Sequence, residues 1–190
     1  EFHYTLSFGA SPEQSVYLLT QARSEITQIS QLRGKRLSIT KGDILGITYL
    51  EVFLAKAGLP GPESFFSAIE FTTSNDAAVL DLFFNKADLA VTTDVTYSLA
   101  CELNPQLQEQ TEILAISEPY IPFVIGVNKR VPLSRLSAID DILLQLEKEP
   151  KLNLILSLFG AINVVKIHSE QLNTLRTLKR QHEQLIPKTK

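Results

Sequence analysis

The 190-residue sequence contains no methionine and no tryptophan, and it has a single cysteine, Cys101. One thiol cannot close an intrachain disulfide, and zinc ribbons or fingers need several sulfur ligands at close spacing, so both scaffold classes are excluded. Without methionine, residue 1 is not a native initiator, and the sequence is expected to be a processed or excised form. No apolar run reaches the roughly 18 residues of a membrane-spanning helix. The start EFHYTLSFG lacks the charged-then-apolar order of a signal peptide. Excess positive charge is also lacking: 18 Lys and Arg against 21 Asp and Glu leave a formal net charge of −3, whereas a dedicated nucleic-acid binder carries a basic footprint. The eight glycines are scattered. No G-x-G-x-x-G follows a strand, and Gly34-Lys35 lacks the glycine spacing of a phosphate-binding loop. Neither a G-x-S-x-G elbow nor an H-E-x-x-H helix occurs. His3, His168 and His182 lie toward the two ends with no i,i+4 pair, and they read as surface or terminal residues. No acid–base pair or nucleophile constellation is visible, so neither an enzyme nor a cofactor is expected.

What is present is a globular composition, 44% hydrophobic and 21% charged, able to bury a core. At about 150 residues per domain the length allows one ordinary domain or two small lobes. Short strands alternate with helical stretches. Arg36–Thr40, Ile69–Thr73, Asp88–Thr92, Glu112–Ile116 and Phe123–Val127 read as strands. Gly46–Ala57 reads as a helix closed by Gly58 with Pro60 behind it. Ser74-Asn75-Asp76 offers caps to the apolar helix 77–84, and Asp94 offers one to Val95–Leu103. This alternation implies β-α-β units and a mostly parallel sheet. After Val131 the character turns helical, over Leu133–Glu149, Lys151–Phe159 and Ser169–Leu185, with one short strand at Asn163–Lys166. The last helix sets Leu172, Leu175 and Leu178 among Arg176, Lys179 and Arg180, which reads as an apolar stripe on the core with a solvated basic face. Cys101, between Ala100 and Glu102, reads as a buried structural thiol.

Polar residues gather where strands end and helices begin: Thr40-Lys41-Gly42-Asp43, Thr72-Thr73-Ser74-Asn75-Asp76 and Thr92-Thr93-Asp94. In a parallel α/β sheet, ligands sit outside the carboxyl ends of the strands, where free helix-start amides attract anions. A small polar or anionic ligand fits this pattern. So does plain helix capping by the same residue types, and periodicity alone leaves the two readings open.

The order of segments resembles a known family. SVYLLT at 15–20, ISQLRGKRLSIT at 29–40, FFSAIEFTTSNDAAVLDLFFNKADLAVTTD at 65–94 and ILAISEPYIPFVIGVNKRV at 113–131 are similar to the substrate-binding proteins of phosphate, phosphite and phosphonate ABC transporters. Within these lie Leu32-Arg33-Gly34-Lys35-Arg36, the DaaVL-like Asp76-Ala77-Ala78-Val79-Leu80, Ala87-Asp88-Leu89-Ala90-Val91, and Ser117-Glu118-Pro119-Tyr120-Ile121-Pro122. The resemblance implies an α/β, type 2 periplasmic-binding-protein-like fold, with a mostly parallel sheet flanked by helices. It implies one complete lobe (lobe two) at residues 32–116. Residues 1–31 and 117–190 would form hinge strands and a partial first lobe with the C-terminal helices, most of the first lobe being absent.

It also implies an extracytoplasmic or periplasmic solute-binding domain that captures a small polar or anionic, phosphate- or phosphonate-like ligand by lobe closure for an ABC transporter. The partners implied are transporter membrane subunits or a sensor kinase, with a possible homo-oligomer completing the cleft. A ligand-sensing domain of a membrane receptor or kinase, or a protein-interaction module that has lost solute binding, are the alternatives. The ligand-binding positions carried over are Thr40, Asp43, Thr48, Thr73, Ser74, Asn75 and Thr93, with Tyr120 as a lid or stacking residue. Two positions depart from the family pattern. Asp43-Ile44-Leu45-Gly46 stands where the family places hydroxyl donors, so a carboxylate that repels dianions replaces groups that hold them. Asn75 stands where the family often has histidine.

Overall fold

A computed structural model describes residues 3–8, 11–126, 128, 130–145, 154, 156–158 and 161–186. The expected helix at Lys151–Phe159 and the end of the one at Leu133–Glu149 fall largely outside these. The chain divides into two compact units, one of Glu1–Gln14 with Tyr120–Leu175, the other of Ser15–Pro119 with Arg176–Lys190.

The second unit is built on five strands, β2 (Val16–Gln21), β3 (Arg36–Thr40), β4 (Ala68–Thr72), β5 (Leu89–Thr93) and β6 (Thr111–Ile116), in the order β4-β3-β5-β2-β6. Strands β4, β3 and β5 run parallel, with Thr40 opposite Thr72 and Ser38 opposite Ala90. Strand β2 is antiparallel to both neighbours, Val16 facing Thr93 and Tyr17 facing Ile116. The sheet is therefore mixed, where the sequence suggested a mostly parallel one. Helices connect β3 to β4, β4 to β5 and, through Asp94–Leu103 and Gln106–Gln110, β5 to β6. The segment that enters as β2 fills the place beside β5 from the opposite direction.

Three helices leave the carboxyl ends of the parallel strands or follow them closely: α1 (Ile44–Lys56), α3 (Asn75–Phe83) and α4 (Asp94–Leu103); the short α2 (Pro62–Phe65) and α5 (Gln106–Gln110) lie between elements. Helix α1 stops as expected. Gly58 takes φ +69°, and Leu59 N reaches back to Leu54 O at 3.0 Å, closing a Schellman turn that an L-residue would strain. Helix α3 lies over β5 and β3. Its Ala78, Val79 and Leu82 pack with Leu19, Ala90, Tyr97 and Leu107 into a core cluster in which five members are fully buried.

The other unit carries a three-stranded antiparallel sheet, β7 (Ile125–Gly126), β1 (His3–Ser7) and β8 (Asn163–Ile167), in the order β7-β1-β8. Its cores are Tyr4, Leu156, Ala161 and Val164, and Ile121, Ile167 and Leu172. Helix α6 (Leu133–Gln145) belongs to this unit. The last helix, α7 (Asn173–Leu185), follows a single 3-10 turn at Ser169–Leu172. Leu178 is buried and Arg176, Lys179 and Arg180 are exposed, as the stripe predicts. His182 is no free surface residue: its Nε2 lies 2.6 Å from Oε2 of Glu51 on α1.

Candidate functional site at the strand ends

Parallel pairing puts the carboxyl ends of β3, β4 and β5 at one edge of the sheet, so Thr40, Thr72 and Thr93 are neighbours there and α1, α3 and α4 all start beside them. Antiparallel β2 brings its amino end to the same edge. Ser15 N donates to Asp94 Oδ1 at 3.1 Å, and Val16 N donates to Ser117 Oγ at 2.8 Å. Six of the eight expected ligand positions, Thr40, Asp43, Thr73, Ser74, Asn75 and Thr93, stand on this edge. Thr48 is half-buried in the second turn of α1. Tyr120 belongs to the other unit, where it is buried and its backbone pairs with Gln14.

The three helix starts are finished in three different ways. At α1, Asp43 is the cap: its Oδ1 accepts from Gly46 N at 2.8 Å. The fit is tight, since a Cβ on Gly46 would lie 2.2 Å from Asp43 Oδ2 and 3.0 Å from a Val91 methyl. The carboxylate therefore needs glycine at that position. At α4 the cap is Thr93, not Asp94 as the sequence suggested. Thr93 keeps extended backbone, φ −105° and ψ 155°, and its Oγ1 accepts from Thr96 N at 3.2 Å. Asp94 sits one residue inside, its Oδ1 accepting from Val95 N at 2.8 Å. At α3 the cap residue is Ser74, whose side chain makes no capping hydrogen bond.

Asn75 follows Ser74 and faces the site through Thr40. Thr40 Oγ1 donates to Asn75 Oδ1 at 2.7 Å, which fixes the amide so that its NH2 is the free donor end. Thr92 Oγ1 donates to the Asn75 carbonyl at 3.4 Å, and Lys41 N donates to Thr72 O at 2.9 Å, binding β3, β4, β5 and the start of α3 into one frame. The charges on this edge are Lys41 against Asp43, Asp76 and Asp94.

Sequence reasoning missed Gly46, Tyr17 and Ser117. Burial pushes the Tyr17 phenol up, and the charge of Asp94 adds to it. The Asp-x-x-Gly spacing at 43–46 was the one local signal available for Gly46. Cys101 is half-buried, not buried. With Tyr97, Ser98, Glu102, Pro105 and Gln108 it lines an open hollow of about 400 Å³ beside α4. No helix among the described residues is long and apolar enough to cross a membrane.

A mixed five-stranded sheet with helix starts gathered at its strand ends is the fold of the type 2 periplasmic binding proteins, and solved structures share it. One neighbour is XAC2383 from Xanthomonas citri, solved bound to ATP, at 15% identity and TM-score 0.72, covering 97% of this chain and 72% of that one. Another is a binding-protein component of an ABC phosphonate transporter, PA3383 from Pseudomonas aeruginosa, at 13% identity and TM-score 0.67, covering 97% of this chain and 62% of that one. A third is PhnD1 from Prochlorococcus marinus in complex with methylphosphonate, at 18% identity and TM-score 0.64, covering 90% and 67%. No curated protein matches the sequence. The family described as ABC transporter, phosphonate, periplasmic substrate-binding protein matches residues 6–172. The chain belongs to that family, whose role is binding solute outside the cytoplasm for an ABC transporter.

Proposed function

We propose that the strand-end edge of the five-stranded unit holds a small polar solute by hydrogen bonds, binds it without chemical change, and presents it to transporter membrane subunits. The observation that carries this reading is the start of α3. Its first amides have no side-chain cap, and the Asn75 amide is turned by Thr40 so that two N–H donors remain for a ligand. Helix-start amides favour acceptor oxygens of either an acid group or a neutral polar group. Thr73 and Ser74 supply hydroxyls on the same turn. Asp43, Thr93 and Thr48 take part from the neighbouring helices. Tyr120 has no part in this reading, because its ring is buried.

A thermal-shift panel tests the proposal. A solute at a hundredfold over its dissociation constant adds about 2.7 kcal/mol, a rise of several degrees for a chain of this size. Asn75→Ala removes the donor pair and orphans Thr40, and it is expected to abolish that rise while the protein still melts cooperatively. An unchanged rise in Asn75→Ala would place binding elsewhere.

A further inference from the structure

We infer that the basic face of α7 docks the chain on an anionic phospholipid surface by electrostatic attraction. The inference stands whether or not solute binds at the strand ends.

Charge is divided unevenly within the five-stranded unit. Ser15–Pro119 carries seven Lys and Arg against thirteen Asp and Glu, a formal −6, while Arg176–Lys190 carries five against one, a formal +4. Helix α7 turns Leu178 inward and reaches Glu51 of α1 with His182. Arg176, Lys179, Arg180 and Glu183 recur at steps of three and four, which sets them on one face of the helix, and all four are exposed. Lys179 Nζ lies 4.0 Å from Glu183 Oε1, and Arg180 donates to the Arg176 carbonyl and to Thr177 Oγ1. These two cations therefore find partners along their own helix, and the Lys179 side chain is 76% exposed. Glu183 offsets one of the three cations, so the face presents net positive charge to solvent.

What the face lacks identifies its occupant. Thr177 and Gln184 flank the four charged residues, and none of the six is an aromatic or aliphatic anchor of the kind on which a protein interface centres. A membrane surface needs no such anchor, because basic side chains are drawn to anionic headgroups directly, each Lys or Arg strengthening attachment about fivefold. An ABC transporter, the partner of this family, sits in such a surface.

Co-sedimentation of the whole chain with vesicles tests this, using phosphatidylcholine alone or mixed with an equal part of phosphatidylglycerol. The variants are the double substitution Lys179→Gln with Arg180→Gln, and the single Glu183→Gln. Glutamine keeps the helix propensity of the residues it replaces, and all three positions are exposed. The expected result is binding to the vesicles that contain phosphatidylglycerol and not to phosphatidylcholine alone, with loss of binding in about 1 M salt, where charges are screened over about 3 Å. Binding should weaken about 25-fold in the double variant and strengthen about fivefold in Glu183→Gln, with both melting within a few degrees of the unmodified chain. Opposite signs from two exposed substitutions cannot come from unfolding. Binding that ignores phosphatidylglycerol, or that neither variant moves, overturns the inference. Tighter binding to soluble polyglutamate than to the vesicles at matched charge assigns the face to an acidic protein and overturns it as well.

Discussion

At the amino ends of β3 and β5, opposite the candidate site, the Asp88 carboxylate accepts from Arg36 N at 2.9 Å, Nε at 3.0 Å and Nη2 at 3.2 Å. Burial works to raise the Asp88 carboxyl, but the hydrogen bonds and charge of Arg36 outweigh it, and its pKa falls below the ordinary value of 3.8. A carboxyl held lower in the folded chain contributes stability that is fully present above the unfolded value and is lost as pH falls through the folded one. The guanidinium is 41% exposed, so solvent screening reduces the contribution to about 1 kcal/mol. Asp88→Asn is expected to cost that much at pH 7 in denaturant titrations, and the gap to the unmodified chain should close below pH 3.8. A gap that stays constant from neutral to acid pH would contradict the assignment.

Among the elements, α7 is held by apolar burial more than by its polar contact. Leu178 is 3% exposed, and Leu178→Ala is expected to cost about 3 kcal/mol through lost transfer energy and the cavity left behind. The His182–Glu51 contact, with side chains 31% and 28% exposed, is worth no more than about 1 kcal/mol. Melting of the two variants ranks them, and a larger loss in His182→Ala would reverse the account. Strands and helices of the β3-to-β5 stretch were legible from the sequence because local signals set them: the apolar runs, the caps, and Gly58 at the stop. Which way β2 runs was not, because it depends on pairing Val16 with Thr93, far along the chain. The cap of α4 was misread by one residue for a related reason. Thr93 and Asp94 are both good caps, and only the extended backbone of Thr93 decides between them.

For the molecule, the family match and the fold agree on a solute-binding protein, and the family motifs fall on strand ends that the fold brings to one edge of the sheet. What the motifs could not supply was the wiring. The Thr40–Asn75 bond spans 35 positions, and Asp43 reads on paper only as a missing hydroxyl, not as the occupant of a helix end. The central claim is that solute is held where α3 begins. Amide chemical-shift mapping of the whole chain, titrated with phosphate, methylphosphonate, glycine, β-alanine and taurine, tests it most directly. The account predicts saturable shifts centred on Thr73–Ala78 and reaching Thr40, Asp43, Thr48 and Thr93, with the hollow at Tyr97 and Cys101 unmoved. Shifts centred on that hollow, or none at the α3 start with any probe, would contradict it.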